Sequence, residues 1–452
     1  MKSENSQILH VGFDDTDSTK QGCTTYIAAL LIDEIEKFNA KLIDYPSLVR
    51  LNPNVPWKTR GNGALCLRID LNNAEEDQIK KSIIKIVEQN SDFETEGTNP
   101  GIAFLKKPNI PKEFTEFTKK AIQSIVTIEE AKKLSKKFCS ELFGYNNERG
   151  LIGATAAIGE TFSKDHTYEL ITYRIEKNRG SKRKIDEASI FLMDKLIQPN
   201  TFNNIDQDKN RVVITPRGPD PILYGVRGES PEAVKKAYKI IRPLEEIERW
   251  VIFRTNQGTD AHLTPVENLS KIKPFTSIIA RGKVSKPPRI IPLRHVVFTI
   301  EDAQSEIDCI AYEPTGSLRK IARELVIGDE VEVSGAVNQS RTFPLSINLE
   351  KIKIIKLSKK LSIQNPQCPD CQKRLESMGK NQGYRCKKCK KRFENLEKIE
   401  YAVQRSIKPG LYITSTRSQR HLTKPIRRYG LEKKGNEKRQ DMIVEWHFTS
   451  NK

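Results

Sequence analysis

The chain has 452 residues, of which 37% are hydrophobic and 30% charged, and its formal net charge is +19. This length exceeds what one core organises and predicts three to five domains. No stretch approaches the ~20 consecutive apolar residues that cross a bilayer, and the first ten residues lack the basic and then apolar pattern of a signal peptide, so we expect a cytoplasmic protein with no membrane partner.

The first predicted strand, ILHVGF at residues 8–13, runs into three aspartates before a predicted helix at residues 27–37. Asp14, Asp15 and Asp17 therefore lie on a strand-to-helix loop, a common place for ligand chemistry in α/β folds. Carboxylates this close repel one another unless a cation neutralises them, and Mg²⁺ prefers one or two carboxylates together with phosphate oxygens. The spacing indicates metal-assisted phosphate chemistry, with helix capping as the alternative for one of the three.

Two threonines, Thr24 and Thr25, stand where this helix is expected to begin. A hydroxyl at that place is ordinarily a helix cap, and the sequence on its own favours that interpretation for Thr24. Residue type and spacing do not separate the two threonines.

Three later stretches rich in glycine or proline carry candidate phosphate-binding groups. Residues 52–63, NPNVPWKTRGNG, hold Lys58 and Arg60. Residues 148–159, ERGLIGATAAIG, are predicted as a glycine-rich loop whose small residues let the backbone approach a ligand. This second stretch has neither a Walker lysine nor a GxGxxG pattern.

The third stretch, TPRGPDPILYGVRGES at residues 215–230, sets Arg217, Asp220 and Arg227 among turns. Arginine forks suit phosphate, and the aspartate suits a cation. Each loop alone is a weak signal because glycine and proline usually mark ordinary turns, but together with the aspartates they favour a nucleotide-using enzyme. In the following RTNQGTDAHL we expect His262 to be packed or hydrogen-bonded rather than a ligand.

The first 266 residues alternate apolar extended runs with amphipathic helices, which predicts an α/β architecture. The runs GALCLRIDL and ELITYRI have the composition of strands, and EEDQIKKSIIKIVEQ has the apolar spacing of a helix. Residues 267–274, ENLSKIKP, are interpreted as a connector.

Residues 275–358 contain five extended stretches with alternating β-branched residues, and a helix-like LRKIARELV lies between the third and the fourth. This is the order of elements in an OB-fold β-barrel. Such barrels mostly bind nucleic acid or oligosaccharide, and the sequence that follows favours RNA.

A four-cysteine pattern of the form C-x2-C-x14-C-x2-C is formed by Cys368, Cys371, Cys386 and Cys389. Two short knuckles of this spacing bring four thiolates around a tetrahedral zinc, and the closed shell makes the metal structural. The zinc supplies folding energy that so small a module cannot obtain from its own core. A redox role for either CxxC pair is the alternative.

Positive charge is concentrated in the last part of the chain. Residues 1–350 carry a net charge of about +1, and residues 351–452 about +18. Between the cations stand Tyr412, His421 and Tyr429, and aromatic rings among cations can stack on unpaired bases. We therefore predict single-stranded or looped RNA as the partner, with a solvated lysine-rich tail as the alternative.

Six sequence blocks, followed by the barrel, the ribbon and RHLTKPIRRYG, occur in an order that resembles one known family. The blocks are GFDDTDS…GCTTY, RLNPNVPWKTRGNG, GTNPG, RGLIGATAAIG, PRGPDPILYGVRG and TNQGTDAHL. They are similar to the archaeal agmatidine synthetases of the minor isoleucine tRNA, and the resemblance extends over essentially the whole chain.

The resemblance implies an ATP-dependent ligase that joins agmatine to carbon 2 of the wobble cytidine in the CAU anticodon of isoleucine tRNA, so that the tRNA reads AUA. It also implies a multidomain α/β (α+β) fold with five parts: a kinase-like α/β domain at 1–140, a ferredoxin-like domain at 141–266 that contributes to the active site, an OB fold at 273–358, a zinc ribbon at 364–396 and a basic tRNA-binding segment at 397–452.

Roles for individual residues also follow from the resemblance. Asp14, Asp15 and Asp17 would act in catalysis, the first two as Mg²⁺ ligands, and Thr24 would be the autophosphorylated threonine of the CTTY block. The groups implied around ATP are Lys58, Arg60, Arg217, Asp220 and Arg227. The alternative function is a non-catalytic tRNA- or RNA-binding protein whose N-terminal half binds nucleotide as a switch.

Overall fold

A computed structural model describes residues 7–18, 20–339, 345–434 and 441–450 of the chain. These described residues form a mixed α/β structure with several distinct cores. Within them, no helix combines the length and the apolar character that a membrane crossing requires.

The N-terminal region packs its helices on a mainly antiparallel sheet. The elements are β1 (Ile8–Asp14), α1 (Thr24–Lys37), β2 (Lys41–Leu42), β3 (Ser47–Arg50), β4 (Gly63–Asp70), α2 (Glu76–Asn90), β5 (Gly101–Lys106), α3 (Lys112–Gln123), α4 (Ile128–Phe138) and β6 (Glu141–Gly144). In α1 the buried Ile27, Leu31 and Ile35 recur every four residues and therefore share one face, which packs in the core of the sheet.

The next region alternates helices with strands. The elements are α5 (Gly150–Gly159), β7 (Thr167–Arg174), α6 (Glu187–Ile197), β8 (Thr201–Phe202), β9 (Ile205–Asp206), β10 (Arg211–Val212), β11 (Ile222–Gly228), α7 (Pro231–Ile240) and β12 (Ile247–Thr255). The prediction of a glycine-rich loop at 148–159 is wrong, because α5 occupies this stretch. The small residues of α5 allow it to be buried almost all round, close against β1.

The remaining elements belong to a barrel, to the cysteine-rich region and to the C-terminal stretch. They are β13 (Leu263–Pro265), β14 (Ser277–Ile291), β15 (His295–Glu301), β16 (Glu306–Ala311), α8 (Ser317–Arg323), β17 (Glu330–Asn338), β18 (Ser346–Lys356), β19 (Lys360–Gln364), β20 (Glu376–Ser377), β21 (Tyr384–Arg385), β22 (Arg392–Phe393), β23 (Ile399–Val403), β24 (Gly410–Ile413) and β25 (His447–Thr449).

One sheet of eleven strands joins the first two regions. Its order is β6-β5-β1-β4-β3-β12-β7-β11-β8, with β2 added on β4 and β25 on β12. The junction is the parallel pair β3–β12, in which Ser47 lies opposite Arg254 and Leu48 opposite Thr255. The regions predicted as separate domains at 1–140 and 141–266 therefore share one continuous sheet, and their loops meet at its edge.

Strands β14, β15, β16, β18 and β17 pair in that order, and β14 pairs again with β17, which closes a five-stranded barrel. Along the chain, the helix α8 lies between β16 and β17, the third and fourth strands in sequence order, as the sequence predicted. The chain then leaves β18 for the cysteine-rich region and returns at β24, which pairs with β18. The cysteine-rich region is thus an insertion between two paired strands.

Candidate active site

The three aspartates lie where β1 leads into the loop before α1: Asp14 ends the strand, and Asp15 and Asp17 lie on the predicted loop. Asp14 is the last residue of β1 and is opposite Gly101 of β5. Gly153 of α5 lies directly against the Asp14 carboxylate, and a Cβ at this glycine would overlap Asp14 Oδ2. The small residues of α5 thus make room for a carboxylate at the end of a buried strand.

Asp15 and Asp17 are held in place by different partners. Asp15 has a left-handed backbone with φ of 56°, and its Oδ2 accepts hydrogen bonds from the backbone and side-chain nitrogens of Asn99, each at 3.2 Å. Its Oδ1 accepts from Thr59 Oγ1 at 3.2 Å. Asp17 Oδ2 lies 3.4 Å from Arg60 Nε. Aspartate tolerates this left-handed conformation better than most residues other than glycine.

Burial raises the pKa of each of the three carboxyl groups. The pKa of Asp14 lies well above its usual value, and repulsion from Asp15 adds to the effect of burial. The pKa of Asp15 is also raised by burial, and that of Asp17 is raised by burial to about 6. The site therefore concentrates negative charge that is poorly solvated, an arrangement that a bound cation would relieve.

Thr24 and Thr25 point to different surroundings. Thr24 Oγ1 accepts a hydrogen bond from Thr16 Oγ1 at 3.0 Å and lies 3.4 Å from Asp17 Oδ1. Thr25 Oγ1 lies 3.2 Å from Cys23 Sγ. Cys23 is the N-cap of α1, and its cap carries no side-chain hydrogen bond, so neither threonine is the helix cap that the sequence favoured.

Arg60 connects the aspartate loop with the stretch predicted at 215–230. Its Nη1 lies 3.8 Å from Asp220 Oδ2 and donates to the carbonyl of Gly22 at 3.2 Å. Asp220 also accepts from Arg183 Nη2 at 3.1 Å, and burial raises the pKa of this aspartate. The structure therefore brings Asp17, Arg60 and Asp220 together, from parts of the chain about 200 residues apart.

Arg227 lies in a different group from Asp220. Its Nε donates to Glu169 Oε1 at 3.1 Å, and its Nη2 lies 3.0 Å from His421 Nδ1. Gln257 donates to Glu169 Oε2, and its Oε1 lies 2.9 Å from His421 Nδ1. These four side chains, called the Arg227 ring below, come from β11, β7, the turn after β12 and the C-terminal stretch.

Arg50, which the sequence analysis missed, lies between the Arg227 ring and the aspartates. Asp17 and Glu169 both act on its charge, yet burial lowers its pKa to about 10, and Arg50 in turn acts on Asp14. Its Nε is buried and has no hydrogen-bond partner among the described residues. Arg50 is the last residue of β3, as Asp14 is the last residue of β1. A single arginine in a basic chain is not distinctive, so the sequence did not indicate this residue.

Two clefts lie on either side of the contact that joins Asp17, Arg60 and Asp220. The aspartate cleft is bordered by the three aspartates, Lys58, Arg149 and an apolar wall that includes Trp57, Ile125 and Val126. The arginine cleft contains Asp220, the exposed Arg217 and further cations from Lys20, Lys182, Arg183 and Arg211. The predicted residues Lys58 and Arg217 therefore lie in neighbouring clefts and not in one.

A third cleft, the lysine cleft, adjoins the aspartate cleft. It lies between α3 and the entrance to the barrel, and it shares Ser124 with the aspartate cleft. Four lysines border it: Lys119, Lys120, Lys271 and Lys273. Lys120 pairs with Glu130 and Lys271 with Glu267, and Glu116 also borders the cleft, so Lys119 and Lys273 are the lysines with no such ion pair among the described contacts that could meet a phosphate backbone.

The four predicted zinc ligands converge. The Sγ atoms of Cys368, Cys371, Cys386 and Cys389 lie within 4.8 Å of one another. Backbone hydrogen bonds from Gln372 N to the Cys368 carbonyl (2.8 Å) and from Lys390 N to the Cys386 carbonyl (3.0 Å) form two equivalent knuckles. Four thiols in this arrangement fit a structural zinc.

Metal ions in proteins are held by His, Cys, Asp and Glu side chains. Among the described residues, only the four cysteines form a group of three or more such side chains close enough together to hold a metal. The three aspartates do not form a group of this kind among the described residues. Mg²⁺ prefers one or two carboxylates, with the remaining positions filled by water and phosphate oxygens.

The basic C-terminal stretch folds back on the body, and the rings predicted to stack on bases have partners inside the protein. His421 belongs to the Arg227 ring, Tyr412 Oη donates to the Lys408 carbonyl at 2.8 Å, and Tyr429 Oη lies 2.9 Å from Lys351 Nζ. His262 is buried and lies 3.1 Å from Glu350 Oε2, which confirms the expectation of a hydrogen-bonded histidine.

Several cations of this stretch pair with acids of the body. Arg428 is fully buried between Asp165 and Glu229, and Arg427 pairs with Asp194 at 2.6 Å. These pairs could not be predicted from the sequence, because each acid lies more than 190 residues away along the chain and the net charge of the body is near zero.

Three family models match this chain. Residues 10–147 match the TiaS TCKD domain, residues 148–262 the TiaS FLD domain, and residues 365–407 the TiaS C-terminal zinc ribbon domain. The C-terminal stretch after residue 407 lies outside these three matches.

Relatives of known activity are similar over nearly the whole length. The chain is 43% identical over 424 residues to the isoleucine-2 tRNA 2-agmatinylcytidine synthetase TiaS of Methanocaldococcus jannaschii, covering 93% of this chain and 98% of that protein. It is similar to the crystal structure of a complex of TiaS with isoleucine-2 tRNA and ATP, with a TM-score of 0.85, 37% identity and coverage of 97% and 99%. It is also similar to that of a complex of TiaS with the same tRNA, AMPCPP and agmatine, with a TM-score of 0.82, 35% identity and coverage of 93% and 97%.

Proposed function

This chain belongs to the TiaS family, the 2-agmatinylcytidine synthetases of isoleucine-2 tRNA, and on this basis we propose roles for its individual residues. The protein is an ATP-dependent ligase that attaches agmatine to this tRNA to form agmatidine, and its substrates are ATP, agmatine and the tRNA. The family match sets aside the alternative of a non-catalytic RNA-binding protein.

The observation that carries the proposal is the position of Thr24 beside Asp17, where loops of both halves of the eleven-stranded sheet meet. Phosphoryl transfer needs charge neutralisation and alignment more than covalent help from the protein. Carboxylates for a cation, a hydroxyl for phosphate and several arginines for phosphate oxygens lie within this one region.

The reaction needs an activated carbon 2 on the wobble cytidine, because the carbonyl oxygen is a poor leaving group. Transfer of a phosphoryl group from ATP to this oxygen provides one, and the primary amine of agmatine then displaces the phosphate. Asp14 and Asp15 would hold Mg²⁺, which, when bound, orients phosphate oxygens and neutralises their developing charge. Asp17 orients Thr24, which we propose as the site of autophosphorylation.

Five further groups are proposed to bind ATP. Arg60 and Asp220 lie at the junction of the aspartate and arginine clefts, and Lys58 and Arg217 extend from it into each cleft. Arg227 lines neither cleft, and its charge acts on the buried Arg50, whose charge acts in turn on Asp14. Bidentate arginines suit the phosphates, and the lysine contributes a point charge.

The finer architecture is proposed as follows. Residues 1–140 form a kinase-like domain and 141–266 a ferredoxin-like domain, joined through their shared sheet. The closed barrel at 273–358 is an OB fold, and residues 364–396 form the zinc ribbon. Both bind tRNA. The segment 397–452, predicted as a basic tRNA-binding tail, is assigned here in part to the body, since its buried cations serve the fold.

The test is mass spectrometry of isoleucine-2 tRNA after incubation with the purified protein, ATP, Mg²⁺ and agmatine. We expect a mass gain at the wobble cytidine that equals agmatine minus water. Asp15→Asn removes a charge and keeps the shape, so turnover should fall by about 10²–10³ while tRNA affinity stays nearly unchanged. An unmodified tRNA, or an Asp15→Asn enzyme with full activity, would contradict the proposal.

A further inference from the structure

The part of the C-terminal stretch that crosses the catalytic body, called the strap below, comprises residues 414–434. Its backbone pairs with the turn after β12, where Gly258 N donates to the His421 carbonyl and Asp260 N to the Leu422 carbonyl, each at 2.8 Å. Lys424 N donates to Asp260 Oδ1 at 2.7 Å. The strap is thus fixed at His421 by the same turn that carries Gln257.

Arg428 anchors the strap further along. Its guanidinium donates to both oxygens of Asp165 (2.9 and 3.1 Å), to both oxygens of Glu229 (2.6 and 3.1 Å) and to the Gly258 carbonyl (2.6 Å). Every donor position of this buried side chain is therefore used. A satisfied network of this kind fixes a single backbone position, and it places His421 reproducibly.

His421 closes the Arg227 ring. Glu169 uses one carboxylate oxygen for Arg227 and the other for Gln257, and His421 Nδ1 lies between the free ends of these two partners. An arginine only donates, whereas the Gln257 Oε1 atom only accepts, so Nδ1 of a neutral ring satisfies one of them at a time. If Nδ1 carries no proton, it accepts a hydrogen bond from Arg227 Nη2. If Nδ1 carries the proton, it donates to Gln257 Oε1 and leaves Arg227 Nη2 without this bond.

The other ring nitrogen faces the loop at residues 52–62. A Cβ at Gly61 would lie 2.9 Å from His421 Nε2 and 2.7 Å from Arg50 Nη1, so the absence of a side chain at Gly61 brings this loop against both groups. Burial lowers the pKa of His421 well below its usual value, and Arg50, Arg227 and Lys58 act in the same direction. The imidazole is therefore neutral and lies among cations.

We propose that His421, supplied by the strap, is a positioning residue for Arg227 and for the Gln257–Glu169 pair, so that the catalytic site is incomplete without a segment that follows the zinc ribbon. The inference rests on the proposed function of Arg227 in binding ATP phosphate. Without His421, Arg227 keeps its single bond to Glu169 and can rotate about it, and the guanidinium no longer presents a fixed face to phosphate.

The test compares three variants at one position. Asparagine carries its amide about as far from Cα as Nδ1, whereas glutamine carries it as far as Nε2. His421→Asn should therefore keep ATP affinity within about threefold, while His421→Gln and His421→Ala weaken it by about 10- to 100-fold, the value of one hydrogen bond to a charged group. Ile426→Ala, an exposed strap residue, is the matched control and should leave ATP affinity unchanged.

The measurements are equilibrium binding of ATP, agmatidine formation as a function of ATP concentration, and tRNA binding. A loss of ATP affinity in the alanine and glutamine variants, with tRNA affinity unchanged and asparagine as the rescue, supports the inference. Wild-type ATP affinity in His421→Ala, or equal losses in the asparagine and glutamine variants, would overturn it. A wild-type protein that binds ATP but forms no agmatidine contradicts the proposed function, and the ATP-binding series still decides the role of His421.

Discussion

Thr24 Oγ1 and Asp17 Oδ1 lie 3.4 Å apart at the start of α1, whereas the neighbouring Thr25 hydroxyl lies beside Cys23 Sγ. Adjacent residues of a helix differ by about 100° in direction, so one threonine faces the aspartates and the other faces the core. The geometry thus distinguishes two hydroxyls that residue type leaves equivalent.

The first prediction concerns these two threonines. Thr24→Ala should abolish incorporation of label from γ-³²P-ATP into the protein, because the hydroxyl beside Asp17 is the proposed acceptor. Thr25→Ala removes the same group one position away and should retain labelling within about twofold, although loss of its buried contact destabilises the fold by about 1 kcal/mol. Peptide mapping of the labelled protein checks both. Labelled Thr25, or full labelling of the Thr24→Ala protein, would contradict the assignment.

The second prediction concerns Trp57, a half-exposed ring in the wall of the aspartate cleft. The lysine cleft opens beside this wall and suits an RNA backbone, so we expect the wobble base to enter here and stack on the indole. Stacking contributes about 1–3 kcal/mol per base, so Trp57→Ala should raise KM for tRNA by about 10-fold or more. Trp57→Phe keeps an aromatic face and should recover most of the loss.

Steady-state kinetics with each substrate varied in turn checks this prediction. A rise of KM for ATP with no change for tRNA would place adenine, and not the wobble base, on Trp57.

The third prediction separates the zinc ribbon from the strap. Arg405 Nη1 donates to the Ser358 carbonyl at 3.1 Å, and Lys360 lies opposite Val403, so the ribbon leaves and rejoins the barrel at one place. Excision of residues 359–404 should therefore leave ATP affinity within about threefold while it weakens tRNA binding and its salt dependence. Truncation after Ser358 also removes the strap and β25, and should abolish turnover.

Both deletion proteins are compared by ATP binding and by tRNA binding at two salt concentrations. Equal loss of ATP affinity in the two would show that the strap adds nothing to the site, whereas unchanged tRNA affinity after excision would remove the ribbon from the tRNA interface.

The fourth prediction concerns acid stability. His166 Nδ1 donates to the Lys164 carbonyl at 3.0 Å, and Nε2 accepts from Arg254 Nη2 at 3.2 Å, so this buried ring is neutral. Burial, with Arg254 and Lys433 adding to it, lowers the pKa of His166 from 6.5 to about 4. The unfolded chain therefore binds this proton at higher pH than the folded protein, and stability falls as pH decreases from 6.5 towards 4.

Between pH 7.5 and pH 5 this single group should cost about 2 kcal/mol, since one pKa unit corresponds to about 1.4 kcal/mol. His166→Gln retains an acceptor for Arg254 and does not titrate, so its urea midpoint should fall less over the same interval. Parallel midpoints for the wild type and the variant would contradict the assignment.

The fifth prediction concerns the buried Arg428. Arg428→Met removes the cation and leaves Asp165 and Glu229 without their shared partner, which should cost about 3–5 kcal/mol of folding free energy. The neighbouring Arg427 forms a half-buried ion pair with Asp194, and Arg427→Met should lower the free energy of unfolding by about 1 kcal/mol. Denaturant unfolding of the two variants gives the comparison, and equal losses would mean that the Arg428 network is not what anchors the strap.

Local pattern was sufficient for the elements that depend on neighbouring residues. The strand before Asp14, the helix after Cys23 and the order of strands in the barrel follow from apolar periodicity, and the four cysteines from their spacing. The prediction of a loop at 148–159 was wrong because its glycines serve close helix packing: Gly150 and Gly153 lie against the ends of β5 and β1, and Gly159 lies against α3. A local count of turn formers does not show such packing.

The sequence by itself determined the aspartate loop, the zinc ligands and, through the order of its motif blocks, the family. Only the tertiary structure decided that Thr24 and not Thr25 faces Asp17, that Arg227 pairs with Glu169, and that His421 contacts Arg227 and Gln257. The physical reason is distance along the chain: a hydrophobic period is set by residues a few positions apart, whereas a buried ion pair such as Arg428–Asp165 joins groups 263 residues apart and exists only once the sheet has formed.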